Sequence, residues 1–245
     1  MEDRLIGLWC PSFSGATQGI LPDLSGKDNN CNLIGLDRNT AWQTVSDKTA
    51  LFHDGVDDRV FSGAFPMSAM ANATNSFSVW LHPTTTTTNT RPFGLGEFGS
   101  AFALRFNFQN LEFLFGGTAP LSVNMENTSF ANRWTHVCGV ANANGARLFF
   151  NGVLVGSRTD TVSITKTNGL GIGYRFGVNS EFYSGYTDDL RLFARTVSEN
   201  ETVQIFEKQR GGGLLHEPPK RRAFFVPALP LPVRRRSSRF LGFPG

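Results

Sequence analysis

Cysteine, a secretion signal and helix are all scarce or missing in this sequence, and each shortage removes a class of function. Cys10, Cys31 and Cys138 form an odd set without CxxC spacing. They support neither a disulfide framework nor a zinc site, and are expected to be buried free thiols. The opening MEDRLIGLWC has acids near its start and no apolar core of the length a secretory signal needs, so a signal peptide is not expected. No stretch approaches membrane-spanning length, and no membrane partner is expected. Helical periodicity is convincing once, over Ser198 to Gln209. Ser198 is the candidate N-cap with Glu201 three residues on, and Val203 and Phe206 are expected to face inward.

Charge is also unevenly supplied. The net charge is only +3, but residues 212–245 hold seven of the 23 Lys and Arg and one of the 20 acids, which leaves the rest at −3. The triple glycine 211–213 marks the expected boundary between a body (1–211) and a tail (212–245). Pro218, Pro219, Pro227, Pro230, Pro232 and Pro244 forbid helix or central strand in the tail and favour extended, polyproline-like chain. Its basic and apolar blocks alternate: Arg221, Arg222, Phe224, Phe225, then Arg234, Arg235, Arg236, Arg239 and Phe240. That alternation suits an extended peptide laid along a partner protein better than nucleic acid, whose binding would rest on phosphate neutralisation. A simply solvated tail is the alternative.

What is abundant is phenylalanine, 23 residues of 245, spaced for pleated surfaces that stack aromatics across strands. In Ala101 to Phe108, residues Phe102, Leu104, Phe106 and Phe108 share one face, and Leu111, Phe113 and Phe115 repeat the pattern. These read as neighbouring strands with a turn near Gln109-Asn110. Asn144-Gly145 and Asn151-Gly152 bracket Ala146 to Phe150 and predict two tight hairpins. Further strands are expected at Leu5–Cys10, Asn32–Leu36, Thr49–His53, Arg59–Ser62, Phe77–His82, Trp134–Val140, Val153–Ser157, Leu170–Tyr174 and Thr187–Phe193. Their number and spacing demand a sandwich or barrel. Gly94-Leu95-Gly96-Glu97-Phe98-Gly99 satisfies GxGxxG, but an alternating strand follows where a dinucleotide site needs a helix. These glycines are instead expected to form a tight hairpin.

Six landmarks in order then resemble one family. Gly7-Leu8-Trp9 with the run Asp23 to Asn30 is similar to the opening of laminin-G-like, concanavalin A-like jelly rolls, of the kind found in bacteriophage virion proteins. Phe52 to Val60, Phe77 to Pro83, Trp134 to Val137, Asn151 to Val153 and Gly185 to Arg195 resemble its later strands and hairpin. The resemblance implies an all-β fold: two antiparallel sheets in a jelly-roll sandwich, here with one short C-terminal helix and an extended basic tail.

The resemblance also implies sites. In many family members a structural calcium lies where the first turn meets the closing strand, which maps to Asp23, Asn30 and Asp188; the alternative is that these acids accept backbone N–H bonds in turns. Hydrolases of the fold cut glycosidic bonds with paired carboxylates in an E-x-D-x-x-E spacing. That spacing is absent, and Glu97, Glu112 and Glu126 stand singly, so no enzymatic activity is expected. His53, His82, His136 and His216 are separated, and His53 and His136, inside strands, are expected to be satisfied core or interface imidazoles. A sugar site would draw on Trp42, Tyr174, Arg175, Tyr183 and Tyr186, each of which has packing as its alternative role. Together these point to a non-enzymatic virion decoration or fibre-associated protein. It would show a lectin-like jelly roll to a cell-surface glycan, dock on other virion proteins through its tail, and sit at the particle surface, with self-association open. The alternative is a carbohydrate-binding module of a bacterial surface or exported protein.

Overall fold

The computed structural model describes residues 4–14, 19–70, 74–86, 88–96, 102–116, 119–125, 130–159 and 168–210. The tail expected at 212–245, with all of its proposed anchoring residues, lies outside the described residues, as do Glu97 and Glu126.

In chain order the strands are β1 Leu5–Trp9, β2 Ile20–Leu21, β3 Cys31–Ile34, β4 Trp42–Val45, β5 Lys48–Asp54, β6 Arg59–Ser62, β7 Asn75–Pro83 and β8 Thr90–Leu95. They continue as β9 Phe102–Asn107, β10 Asn110–Phe115, β11 Leu121–Asn124, β12 Thr135–Asn142, β13 Gly145–Phe150, β14 Val153–Arg158, β15 Leu170–Ile172 and β16 Ser184–Phe193. Short helices α1 (Pro11–Ser14) and α2 (Arg38–Ala41) and the longer α3 (Glu199–Arg210) complete the list. One sheet runs β14-β13-β12-β7-β16-β5-β4 with β1 also on β16; the other runs β11-β10-β9-β8-β15-β6-β3-β2, every pairing being antiparallel. This is the two-sheet jelly-roll sandwich.

The alternation of β7 shows why. Phe77, Val79 and Leu81 point into the space between the sheets and join Phe93, Phe102, Leu104, Phe106, Leu111 and Phe113 from the facing sheet. Phe77 meets Phe93, Phe102 and Phe113 edge-on at 4.8, 5.9 and 5.1 Å, the arrangement in which ring quadrupoles attract. Gly139 on β12 faces Phe77, and a Cβ there would fall 2.0 Å from its ring.

The other face of β7 is covered as well. Helix α3 lies over it, burying Thr202, Ile205 and Gln209, and Ile205 joins Leu5, Leu8, Cys10, Cys138, Val140, Phe149, Phe193 and Val197 in a second core. The helix starts where its capping signal predicts. The Glu201 amide donates to Ser198 Oγ (3.2 Å) and the Ser198 amide donates to Glu201 Oε2 (2.9 Å), two orphan donors satisfied reciprocally. Arg195 pairs with the Glu201 carboxylate and holds its pKa down to about 2. Phe206 does pack inward, against Trp80 and His136, but Val203 is 44% exposed rather than inward-facing.

Other expectations shift by a residue or two. The β9–β10 turn is Phe108-Gln109, since Asn107 pairs with Asn110. Phe108 sits at the tip with φ 53° and is exposed instead of extending the buried face. The β12–β13 turn is Ala143-Asn144, closed by the Asn144 amide donating to Asn142 Oδ1 (2.8 Å). At Asn151-Gly152 both residues do take positive φ, 49° and 80°, as a type I′ turn requires. Gly94 lies inside β8 and not in a hairpin. Strands β2, β4, β8 and β11 were not anticipated.

All three cysteines are free and buried; burial pushes their thiols up, Cys138 to about 12, so they are unreactive. His53 and His136 are fully buried, each with Nε2 on a hydroxyl (Thr187 Oγ1 at 2.9 Å, Ser78 Oγ at 2.8 Å) and Nδ1 without a partner. Burial therefore lowers both pKa values from 6.5 to about 3.

Two outcomes follow. Gly139→Ala is expected to destabilise by about 1–3 kcal/mol through overpacking against Phe77, read as a lower urea midpoint at unchanged slope. The histidines stay neutral in the folded chain but protonate once unfolded, so their stability contribution is complete above 6.5 and is lost as pH falls toward about 3. The urea midpoint should therefore drop between about pH 7 and about pH 5, less steeply in His53→Gln or His136→Gln. Equal slopes in parent and variants would contradict this.

Candidate functional site

The outward positions toward the end of β7 are Trp80, which packs against Phe206 of α3, and His82, both buried, and neighbouring strands bring aromatic partners level with them. Tyr186 on β16 pairs with His82, and Phe52 on β5 pairs with Tyr186. Ring centroids run Phe52–Tyr186 5.0 Å, Tyr186–His82 5.4 Å and His82–Trp134 5.4 Å. The result is an aromatic shelf across three strands, with Phe52, Tyr186 and Trp134 half-exposed. Its polar tips are fixed. The Tyr186 hydroxyl donates to Gln43 Oε1 (3.0 Å), and Trp134 Nε1–H donates to the Val45 carbonyl (3.0 Å).

Beside the shelf lies a cleft of about 320 Å³ lined by Ser46, Asp47, Lys48, Trp80, Trp134, Gln209 and Arg210, at the small end of ligand sites. Four separate segments build it. The β4–β5 hairpin supplies Ser46 and Asp47 at its tip, both with positive φ, and Lys48 after them. Strand β7 supplies Trp80, the residue just before β12 is Trp134, and the last turn of α3 supplies Gln209 and Arg210. Trp80 Nε1–H donates to Gln209 Oε1 (2.9 Å), which ties helix to sheet. The Lys48 ammonium sits 5.0 Å from the Trp80 ring centre and 5.7 Å from that of Trp134, within cation–π range. It also pairs with Asp188 at 2.8 Å.

Of the five residues expected to bind sugar, only Tyr186 reaches this face. Tyr183 is fully buried in the main core and Tyr174 is 3% exposed; burial raises both hydroxyls, Tyr174 to about 12. Tyr174 stacks on Phe182, and Arg175 donates to Glu181 Oε1 (3.1 Å). Trp42 packs on the main core and donates from Nε1 to the Pro11 carbonyl (3.2 Å). Packing claimed these side chains because their strand positions, or the loop before β16, turn them from the open face. Trp80, Trp134, Lys48, Gln209 and Arg210 were not anticipated. The available signal was Trp80 at an outward position of a strongly alternating strand.

The calcium expectation does not fit this arrangement. Asp23 Oδ1 accepts the Leu8 and Ser25 amides, both at 2.9 Å, and Oδ2 accepts Ser25 Oγ and the Asn29 amide at 2.8 and 3.0 Å. Asn30 Oδ1 accepts the Asp23 amide at 2.8 Å. Asp188 accepts the Ser12 amide (3.0 Å) and hydroxyl (2.9 Å) as well as Lys48. Oxygens that face positively polarised hydrogens and an ammonium are poorly placed to take a cation. Burial raises the Asp188 pKa, with Lys48 opposing. Among the described residues a group of three acids, Asp54, Asp57 and Asp58, does converge, but its oxygens also accept backbone amides, Asp54 Oδ1 from Val56 and Asp58 Oδ2 from Asp54. Glu112, one of the single glutamates, is occupied by Arg105 and Asn107.

Comparison with known proteins adds the family. No curated protein sequence matches the chain. Among solved structures, the binding domain of botulinum neurotoxin serotype D superimposes with TM-score 0.63 at 18% identity, covering 85% of this chain and 53% of that one. Domain 4 of AbnA, an extracellular arabinanase from Geobacillus stearothermophilus, in complex with arabinotriose, gives 0.62 at 16%, covering 82% and 98%. A Trypanosoma rangeli sialidase mutant gives 0.66 at 14%, covering 87% and 34%. The chain thus spans about half the length of the neurotoxin binding domains it matches, and at these identities the likeness is one of fold. The model of the concanavalin A-like lectin/glucanases superfamily matches residues 54–202, more than half the chain, and the chain belongs to that superfamily.

Proposed function

We propose that this jelly roll is a non-catalytic, lectin-like module that holds a saccharide against the Trp80–Trp134 cleft and the adjoining aromatic shelf. The observation that carries this reading is the half-exposed Trp134 ring beside Trp80, bordered by Lys48, Gln209 and Arg210. Sugar rings have an apolar C–H face that stacks on indole and a rim of hydroxyls that needs hydrogen-bond partners. Two structural neighbours lend support: the arabinanase domain is in complex with arabinotriose, and the binding domain of botulinum neurotoxin DC is in complex with SialylT. Divalent cations are not needed for this role, because Asp23, Asn30 and Asp188 are already engaged by protein donors.

In the same reading the module is displayed on a bacteriophage particle, with the basic, proline-punctuated segment 212–245 gripping other virion proteins. Its support is the sequence itself: alternating Arg and Phe–Leu blocks set apart by the triple glycine. A second context, a carbohydrate-binding module within a bacterial exported protein, is favoured by the arabinanase domain, which the chain covers almost end to end.

Trp134→Ala is expected to lower glycan affinity by about tenfold or more while the far-ultraviolet spectrum is unchanged; equal affinity moves the site elsewhere. Saturating EDTA should leave both binding and the melting temperature unaltered, and a fall in either would restore a structural metal. A chain ending at Gly211 should fold but fail to join particles in infected cells. If it joins them normally, the anchoring role is wrong.

A further inference from the structure

The polar atoms around the cleft narrow the kind of saccharide it would take, a step that rests on the saccharide reading above. Gln209 is 4% exposed, and its carbonyl oxygen is held by Trp80 Nε1–H. That bond fixes the amide's orientation and leaves Nε2 buried without an acceptor. A buried donor with no partner is uncommon in folded proteins and asks for an acceptor that the chain does not provide.

Arg210, next along the helix, pairs with Glu207 three residues back. Both side chains are largely exposed, 65% and 49%, so this pair is weak and readily exchanged. The guanidinium is therefore available to a better partner, and its planar fork matches a carboxylate through two parallel hydrogen bonds. Lys48 adds a second positive charge over the indoles. Against these donors the lining offers the Ser46 hydroxyl and a single carboxylate, Asp47, at the hairpin tip.

We propose that the cleft takes a carboxylated sugar, a uronic- or sialic-acid residue. Arg210 would receive the carboxylate and Trp134 would back the ring, while Gln209, held by Trp80, forms the floor behind them. Lys48, already paired with Asp188, contributes long-range attraction more than a direct bond.

The test is a glycan array carrying uronic- and sialic-acid glycans, their neutral counterparts and sulfated glycans, followed by calorimetric titration of the best carboxylated glycan and its methyl ester. The ester should bind about tenfold more weakly than the acid. Arg210→Ala, an exposed position that leaves the fold intact, should cost the acid about tenfold and the ester far less. Gln209→Glu keeps an acceptor for Trp80 while replacing the donor by a negative charge, and should abolish binding of the acid. Equal binding of acid and ester, a preference for sulfated glycans, or indifference to Arg210→Ala overturns the inference. If neutral glycans then still bind and Trp134→Ala removes them, the saccharide reading survives without it. No glycan binding at all removes both.

Discussion

Along its centre, the sheet that carries β7 has no side left open to water. Its inner residues meet the phenylalanines of the opposite sheet, its outer Ser76 and Ser78 are buried against the Val197 amide and His136, and Trp80 packs on Phe206 of α3. The bond from Trp80 to Gln209 closes that contact at the last turn of the helix. Helix side chains turn by about 100° per residue, so a slip of one position would withdraw Gln209 from Trp80 and carry Arg210 off the rim. The cleft depends on this docking, and the docking depends on the Ser198–Glu201 cap that sets where the helix begins.

Charge is handled in the same neighbourhood by internal pairing. Asp188 is almost fully buried, and it is satisfied by the Lys48 ammonium and by the amide and hydroxyl of Ser12. A buried carboxylate left alone would be costly; here the partner comes from the strand next to β16 and reaches over the indoles. The same lysine thus links the buried charge of the closing strand to the surface of the candidate site. In the first turn Asp23 gathers Leu8, Ser25 and Asn29, so backbone and hydroxyl donors do the ordering that a metal ion performs in other proteins.

A sandwich of this architecture hosts toxin binding domains, an arabinanase domain and part of a sialidase. The shared fold says how the sheets pack and leaves the chemistry to side chains on the open face. In this chain that face is aromatic and cationic, while on the opposite sheet Glu112 is paired with Arg105 and accepts a hydrogen bond from Asn107.

The period-two alternation of Phe102 to Phe106, Leu111 to Phe115 and Phe77 to Leu81 was enough to locate strands and their inner faces, because side-chain direction in a strand is a local property of the backbone. The capping box before α3 and the Asn151-Gly152 turn were legible for the same reason. Strand β8 was not, since Pro92 and Gly94 break its alternation; β2 has only two residues, and the adjacent polar pair Gln43-Thr44 interrupts β4. The candidate site was legible least. Tyr174, Tyr183 and Trp42 have the chemistry for binding sugar but were consumed by packing, while Trp80, Lys48 and Gln209, far apart in the chain, converge only when hairpin, sheet and helix meet. The sequence by itself determined the all-β class, the order of the main strands and the capped helix α3, all set by short-range patterns. Only the tertiary structure decided which aromatics stay at the surface and which donors share a cleft, because exposure and convergence are properties of packed elements and not of neighbours along the chain.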